Sequence, residues 1–194
     1  MTKYNVVVAV TGASGAPYAQ RLIKELVKQD ELILTVMASD AGLFVYHLET
    51  GVSLKDDLPP GVRFYGENDF LAPFASGSTP LKAMVIAPCT MATLGAIAWG
   101  NGRNLIHRTA DVCLKEKRTL VLVPRETPLH EGHLENMLRC ARLGAVILPA
   151  MPGFYHKPSS IDDLVNFVVA RILDHLKINH RLVGNWSSEQ LVEV

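Results

Sequence analysis

The chain has 194 residues, of which 48% are hydrophobic and 20% are charged. This composition predicts one packed domain and excludes a disordered chain. Because 19 Lys and Arg residues balance 19 Asp and Glu residues, a general electrostatic attraction to nucleic acid is not expected. Any anion must therefore be recognised by a local cluster of side chains.

The cysteines and the uncharged segments indicate where the protein acts. Cys89, Cys113 and Cys140 are an odd, scattered set, which argues against a disulfide framework and favours a reducing, cytoplasmic location. The first residues run directly into a strand pattern, so we expect no signal peptide. The longest uncharged run, residues 83–102, is interrupted by Pro88 and Gly95 and indicates strand, turn and helix, with no membrane span.

Strand-like and helix-like patterns alternate along the chain. The predicted strands are residues 5–10, 32–38, 83–87, 119–123 and 145–148, with a weaker one at 62–65. The predicted helices start near Pro17 and then cover 40–49, 90–98, 104–117, 131–143 and 161–176. Ser39 is a plausible N-cap, and Ser160 with Asp163 has the spacing of a capping box.

This alternation predicts a doubly wound, Rossmann-like α/β domain with a mostly parallel sheet, which we assign to residues 1–178. Right-handed crossovers bring the loops after the strands to one sheet edge. That edge would collect residues 12–15, Ser39, 89–93, Arg125 with Glu126, and 149–157. Residues 52–78 are expected to be irregular, as a lid or an interface loop, and residues 179–194 to form a polar tail carrying Trp186.

Two loops at this edge are candidates for ligand binding. Gly12-Ala13-Ser14-Gly15 joins a strand to a helix, and its N–H groups and Ser14 hydroxyl can hold a phosphate or form an ordinary turn. The pattern is not G-x-G-x-x-G, so a dinucleotide is not favoured, although Asp40 keeps NAD open. Residues 88–93 offer hydroxyls that suit a polar heterocycle or a ribityl chain, or that only cap a helix. Within them, Cys89 is expected to be a buried apolar residue.

Charged residues supply further candidates. Arg108, Asp111 and Lys115 share one helical face, either as solvated salt bridges or as two cations held by a carboxylate and aimed at an anion. Arg125 and Glu126 follow a strand, where an arginine suits a phosphate and a glutamate near cations can exchange protons.

Five further residues are candidates for ligand binding, ion pairing or metal ligation. Tyr155 could bind a phosphate or pack in a turn, and Arg171 requires either a ligand or an acid as its partner. Taken alone, Glu49 reads as a surface acid at the end of a helix. His130 and His133 lack a third ligand, so no metal site is expected.

Taken in order, these segments resemble the UbiX-type flavin prenyltransferases, a family formerly described as aromatic-acid decarboxylases. The resemblance spans roughly residues 6–186. It is carried by Thr11-Gly12-Ala13-Ser14-Gly15-Ala16, Leu48-Glu49-Thr50, Ala75-Ser76-Gly77-Ser78, Pro88-Cys89-Thr90, Arg108-Thr109-Ala110-Asp111-Val112, Leu114-Lys115-Glu116-Lys117-Arg118, Val123-Pro124-Arg125-Glu126-Thr127-Pro128-Leu129-His130 and Pro152-Gly153-Phe154-Tyr155-His156-Lys157-Pro158.

The resemblance implies a homo-oligomer, commonly a dodecamer, with FMN between subunits. It implies a metal-independent transfer of a dimethylallyl group from dimethylallyl monophosphate to N5 and C6 of reduced FMN, and the prenylated FMN would serve UbiD-type decarboxylases. FMN contacts are implied for Gly12, Ala13, Ser14, Ser39, Thr90, Met91, Ala92, Thr93 and Arg125. Donor contacts are implied for Arg108, Lys115, Glu126, Tyr155, Arg171 and Trp186, and prenyl and proton transfer for Ser14, Glu49, Lys115 and Glu126.

The resemblance has one departure and leaves two alternatives. Phe70 stands where some members carry Trp, which weakens the aromatic face available to an allylic cation. An FMN-dependent decarboxylase of cysteine-type substrates is one alternative, but its Pro-Ala-Ser-Ala-Asn-Thr phrase is replaced here by residues 88–93. A non-catalytic flavin-binding protein is the other, and the presence of Glu49, Lys115 and Tyr155 speaks against it.

Overall fold

The computed structural model describes residues 3–184. The strands are β1 Tyr4–Val10, β2 Leu32–Ala38, β3 Arg63–Gly66, β4 Ala83–Cys89, β5 Thr119–Pro124 and β6 Val146–Ile147. The helices are α1 Ala16–Leu26, α2 Asp40–Thr50, α3 Leu54–Asp57, α4 Met91–Ala98, α5 Leu105–Lys115, α6 Glu131–Arg142 and α7 Ile161–Leu176. Trp186 and the rest of the predicted tail beyond residue 184 lie outside the described residues.

The strands form one parallel sheet of order β3-β2-β1-β4-β5-β6. Alternate residues of β1 feed two apolar layers. Val6, Val8 and Val10 pack toward α1 and α7, whereas Val7 and Ala9 pack toward α4, α5 and α6. Helices on both faces explain why the strands are continuous apolar runs. The doubly wound prediction is therefore confirmed.

Side-chain caps define where most helices begin. Ser39 accepts the Gly42 N–H at 3.0 Å, Thr90 accepts the Thr93 N–H at 3.1 Å, and Asn104 accepts the His107 N–H at 2.9 Å. The predicted capping box at the start of α7 is present in full. Because Thr90 and Asn104 are caps, the helices predicted at 90–98 and 104–117 begin one residue later.

Two predictions were wrong in detail. The weaker strand predicted at 62–65 is present as β3, but the rest of residues 52–78 is more regular than predicted, because it contains α3 and the 3-10 turn Pro73–Ala75 and because Leu54 and Phe74 are buried in the core. The last strand shrinks from residues 145–148 to Val146–Ile147 because it is an edge strand that pairs with β5 only. Among residues 3–184, no helix is both long enough and apolar enough to cross a membrane.

A buried polar network joins the first three helices. The Tyr46 hydroxyl donates to Asp57 Oδ2 at 2.5 Å, and Gln20 Nε2 donates to the same oxygen at 2.8 Å. Burial raises the pKa of Tyr46, and the hydrogen bond to Asp57 raises it further, so the phenol stays a donor. This network fixes the C-terminal half of α2 against α1 and α3.

Candidate active site

A cleft of 680 Å³ opens at the carboxyl edge of the sheet. Its place beside β1 and β4 is the switch point of the strand order, where α/β proteins bind ligands. The lining includes five residues predicted to contact the flavin, namely Gly12, Ser39, Thr90, Ala92 and Thr93. The volume lies within the range of small-molecule sites.

Thr11 joins the two predicted binding loops. Its hydroxyl donates to the Pro88 carbonyl at 2.8 Å and accepts the Thr90 N–H at 2.9 Å. Thr90 in turn caps α4 and donates to Thr93 Oγ1 at 2.9 Å. The floor of the cleft is therefore held from both loops. Sequence reasoning singled out Thr90 and Thr93 but gave Thr11 no role of its own, although it belongs to the quoted motif.

Glu67 is a cleft residue that sequence reasoning missed. Its carboxylate accepts the Asp40 N–H at 2.9 Å and the Asn104 side-chain amide at 2.7 Å, so it ties the start of α2 to the start of α5. Next to it, burial lowers the pKa of His107 despite the charge of Glu67. No motif marks Glu67, because it follows the weakest strand and its contacts are distant in sequence.

Glu49 is an exposed acid at the end of α2, as expected from the sequence alone, but its carboxylate also has main-chain partners. Its Oε2 accepts the backbone N–H groups of Gly15 at 2.9 Å and of Ala16 at 2.8 Å, which are unpaired donors in the first turn of α1. Arg125 Nε donates to the Ser14 carbonyl at 3.0 Å. We call this cluster of Ser14, Gly15, Ala16, Glu49 and Arg125 the Glu49 corner.

The Glu49 corner holds a carboxylate in its charged form. Partial burial raises the pKa of Glu49, but hydrogen bonds from Ser14, Gly15 and Ala16 and the charge of Arg125 outweigh it, so the pKa lies below its usual value. Glu49 is therefore ionised at neutral pH and can accept a proton. One of the N–H donors predicted to hold a phosphate, that of Gly15, is already used by this carboxylate together with the Ala16 N–H, so the chain itself supplies an anion at the start of α1.

Lys115 lies at the other end of the molecule. α5 begins beside the cleft at Asn104 and His107 and runs for 11 residues, which is about 16 Å. The chain then enters β5 at Thr119 and leaves it at Pro124, directly before Arg125. Lys115 therefore lies toward the amino edge of the sheet, whereas Arg125 lies at the carboxyl edge.

The charge pairing predicted for α5 is correct for one cation and wrong for the other. Arg108 forms an ion pair with Asp111 at 2.8 Å, but Lys115 pairs with Glu116. Lys115 is the last residue of α5, one turn beyond Asp111, and it pairs with the next residue in the sequence instead. We call Arg108, Lys115 and the 75–79 segment that packs against them the Lys115 edge.

The predicted donor residues Tyr155 and Arg171 both lie near Phe167 of α7. Tyr155 packs edge-on against Phe167 with ring centroids 5.7 Å apart, and Arg171 follows Phe167 by one helical turn. Arg171 finds the acid partner expected of it, Asp174, at 2.7 Å. Glu126 is exposed at the end of β5, where its carboxylate accepts the Thr127 N–H at 3.2 Å.

Cysteine nucleophiles and metals find no support in the described residues. All three cysteines are buried and free. Burial raises the pKa of Cys89, and it raises that of Cys113 to about 12 and that of Cys140 to about 11, so their thiols stay protonated. His130 and His133 stack with centroids 3.5 Å apart, but residues 3–184 contain no cluster of three potential metal ligands.

This fold and cleft define a ligand-binding α/β domain. The model of the Flavoprotein family matches residues 1–173, and the chain belongs to that family. The flavin prenyltransferase UbiX of Pseudomonas aeruginosa is 48% identical over 201 residues, which cover 96% of each chain. Within the flavoproteins, the chain belongs to the UbiX flavin prenyltransferases.

Solved structures agree with this assignment. AnUbiX (PadA1), crystallised in complex with FMN and dimethylallyl pyrophosphate, is 39% identical with a TM-score of 0.90, covering 96% of this chain and 98% of that one. A dodecameric FMN-dependent UbiX-like decarboxylase from Escherichia coli O157:H7 is 39% identical with a TM-score of 0.91, covering 95% and 100%. A PPC decarboxylase mutant is only 18% identical with a TM-score of 0.66, which shows a shared fold alone.

Proposed function

We propose that the chain transfers the dimethylallyl group of dimethylallyl monophosphate to N5 and C6 of reduced FMN, giving prenylated FMN. The observation that carries the proposal is the 48% identity to a flavin prenyltransferase along nearly the whole chain. The cysteine-type decarboxylases share only the fold. The Glu49 corner also speaks against a purely flavin-binding protein, because it places an ionised carboxylate beside a cation.

The cleft fits FMN by size and by its polar groups. Ser39, Thr90 and Thr93 bring hydroxyls to its wall, and the start of α4 brings N–H groups that suit a phosphate or a ribityl chain. We assign the flavin contacts to Gly12, Ala13, Ser14, Ser39, Thr90, Met91, Ala92, Thr93 and Arg125. Met91 is only 8% exposed, so its contact would come from the main chain.

Reduced FMN, when bound, would supply the two nucleophilic ring positions, N5 and C6, to which two different carbons of the dimethylallyl group become attached. The side chains supply the rest. As the allylic C–O bond of the donor breaks, its electron pair leaves with the phosphate, and nearby cations stabilise that charge. We assign this role to Arg108, Lys115 and Arg171, with Tyr155 and Glu126 orienting the phosphate.

Proton transfer falls to the Glu49 corner. Glu49 is ionised because its hydrogen bonds favour the charged form, so it can accept a proton, and Ser14 lies within hydrogen-bonding reach of it. Glu126 would exchange protons with the departing phosphate. These roles need no metal.

A homo-oligomer, by analogy with the dodecameric relative, would bring the separated groups together. In one chain the Lys115 edge and the Glu49 corner lie toward opposite edges of the sheet, so a second copy has to supply one of them. Exposed apolar side chains offer contact surfaces for further copies: Leu48 is 70% exposed on α2, Trp99 is 67% exposed at the end of α4, and Leu138 is 51% exposed on α6.

The test is a single-turnover reaction under anaerobic conditions. Purified protein is incubated with reduced FMN and dimethylallyl monophosphate, and the extracted flavin is weighed by mass spectrometry. We expect a product heavier by one C5H8 unit, and unmodified FMN would refute the proposal. A parallel reaction with dimethylallyl diphosphate shows whether the diphosphate also serves as the prenyl donor. A reaction with a cysteine-terminated peptide tests the decarboxylase alternative.

We further propose that a UbiD-type decarboxylase receives the product in a reducing, cytoplasmic setting, in keeping with the three free cysteines. The extracted product should activate such an enzyme purified without its flavin, and FMN alone should not.

A further inference from the structure

The 75–79 segment of the Lys115 edge is anchored to α5 and the turn that follows it. Arg118 donates to the carbonyl of Gly77 at 2.6 Å and to that of Thr79 at 2.8 Å. Arg108 Nε donates to the Ala75 carbonyl at 3.0 Å. Since two guanidinium groups hold three carbonyls, the backbone of this segment is a fixed surface.

Gly77 lies directly under the Lys115–Glu116 ion pair. A Cβ added to Gly77 would lie 2.7 Å from Lys115 Nζ and 2.5 Å from Glu116 Oε1, closer than such atoms approach. Its backbone does not require glycine, because its φ lies outside the left-handed region. Glycine at this position therefore leaves the space that the ends of the Lys115 and Glu116 side chains occupy.

We propose that Gly77 is a positioning residue: its lack of a side chain sets where Lys115 presents its ammonium group to the phosphate of the prenyl donor. This rests on the proposed function. A side chain at position 77 would be accommodated by movement of the Lys115 and Glu116 ends, which are flexible, because the anchored backbone cannot yield as easily. The fold would survive, and the position of one cation would change.

The direct test is Gly77→Ala, compared with wild type in steady-state assays. We expect the KM for dimethylallyl monophosphate to rise about tenfold, the loss of about one good charge contact, with the FMN dissociation constant and the thermal midpoint unchanged. Gly102→Ala is the matched control, since a Cβ there would meet nothing within 4 Å, and its KM should stay at the wild-type value. A wild-type KM in Gly77→Ala would overturn the proposal.

A double-mutant cycle shows whether Gly77 acts through Lys115. In a Lys115→Ala background, Gly77→Ala should cost nothing further, because the group that it displaces is gone. Equal costs in both backgrounds would mean a general structural effect and would overturn the proposal. Should Gly77→Ala fail to fold, Arg118→Met frees the Gly77 and Thr79 carbonyls, so that Gly77 is no longer held beneath Lys115. It should give a donor-specific, Lys115-dependent rise in KM, and the absence of that rise would refute the proposal.

The two hypotheses fail differently. Wild-type protein that makes no prenylated flavin refutes the proposed function. Active wild type with an unaffected Gly77→Ala variant refutes only the role of Gly77.

Discussion

The Glu49 corner and the Lys115 edge carry the charges of the proposed site, but they are built in different ways. At the corner, main-chain N–H groups 34 and 33 residues away in sequence hold the carboxylate. At the edge, Lys115 pairs with its neighbour in sequence and its side chain is 46% exposed. The comparison teaches that one half of the site is complete within a single chain, whereas the other presents its cation outward, as a group serving another chain would.

The corner should carry the largest catalytic effect. Glu49→Gln keeps the shape of the side chain but loses its charge and basicity, and we expect kcat to fall about 100-fold or more with FMN binding retained. Turnover measured with saturating donor, beside FMN titration, checks this. Loss of FMN binding instead would make Glu49 a structural residue, and the Glu49 corner would then have no catalytic role to set against the Lys115 edge.

At the edge, Lys115→Ala should lower kcat/KM about 100-fold without altering the thermal midpoint, because the side chain is exposed. Initial rates at varied donor concentration provide the measurement. Lys117→Ala, an exposed lysine two residues on, is the control and should behave as wild type.

Mixing the two variants tests the separation directly. If a site takes Glu49 from one chain and Lys115 from another, randomly mixed oligomers of Glu49→Gln and Lys115→Ala regain about one quarter of the wild-type activity. Co-expression with two tags, purification of mixed oligomers and rate measurement give the answer. No recovery would place both residues in the same chain's site.

The rigidity of the corner depends on the network behind it. Tyr46→Phe removes a buried hydrogen bond to Asp57, so the free energy of unfolding should fall by about 1–2 kcal/mol. Urea denaturation provides the measurement. Tyr4→Phe is the control, since its bond to Glu31 is long at 3.5 Å, and an equal loss there would contradict the role given to the network.

Acid should weaken the corner by a smaller amount. The pKa of Glu49 is lowered in the folded protein, so its stabilisation is complete above the unfolded value, about 4.3, and is lost as pH falls through the folded value. The carboxylate is partly exposed, so the difference between wild type and Glu49→Gln should be no more than about 1 kcal/mol at neutral pH and should vanish at low pH. If the difference in the free energy of unfolding between the two proteins grows in acid, the pKa of Glu49 is not lowered in the folded protein.

The smallest effect is expected at the edge. The Arg108–Asp111 pair is exposed at both ends, so Asp111→Asn should change the free energy of unfolding by less than about 0.5 kcal/mol. Chemical denaturation at low and high salt measures it. A larger, salt-sensitive loss would show that the edge is as firmly built as the corner.

Much of the fold was predictable, because parallel strands covered on both faces are continuous apolar runs and because helix caps are local. Ser39 and the Ser160–Asp163 box were correct for that reason. Residues 52–78 misled because their buried residues, Leu54 and Phe74, are scattered among Pro, Gly and Ser. Glu67 was missed because its partners come from two helices that are adjacent only in space.

The sequence by itself determined the order of the elements, the doubly wound class and, through its motifs, the flavin prenyltransferase family. These depend on local composition and spacing, which can be read residue by residue. Only the tertiary structure decided that Glu49 caps α1, that Lys115 pairs with Glu116 at the far edge, and that Gly77 lies beneath that pair. Such contacts depend on how distant segments are brought together and on a side chain that is absent, and neither leaves a periodic signal in the sequence.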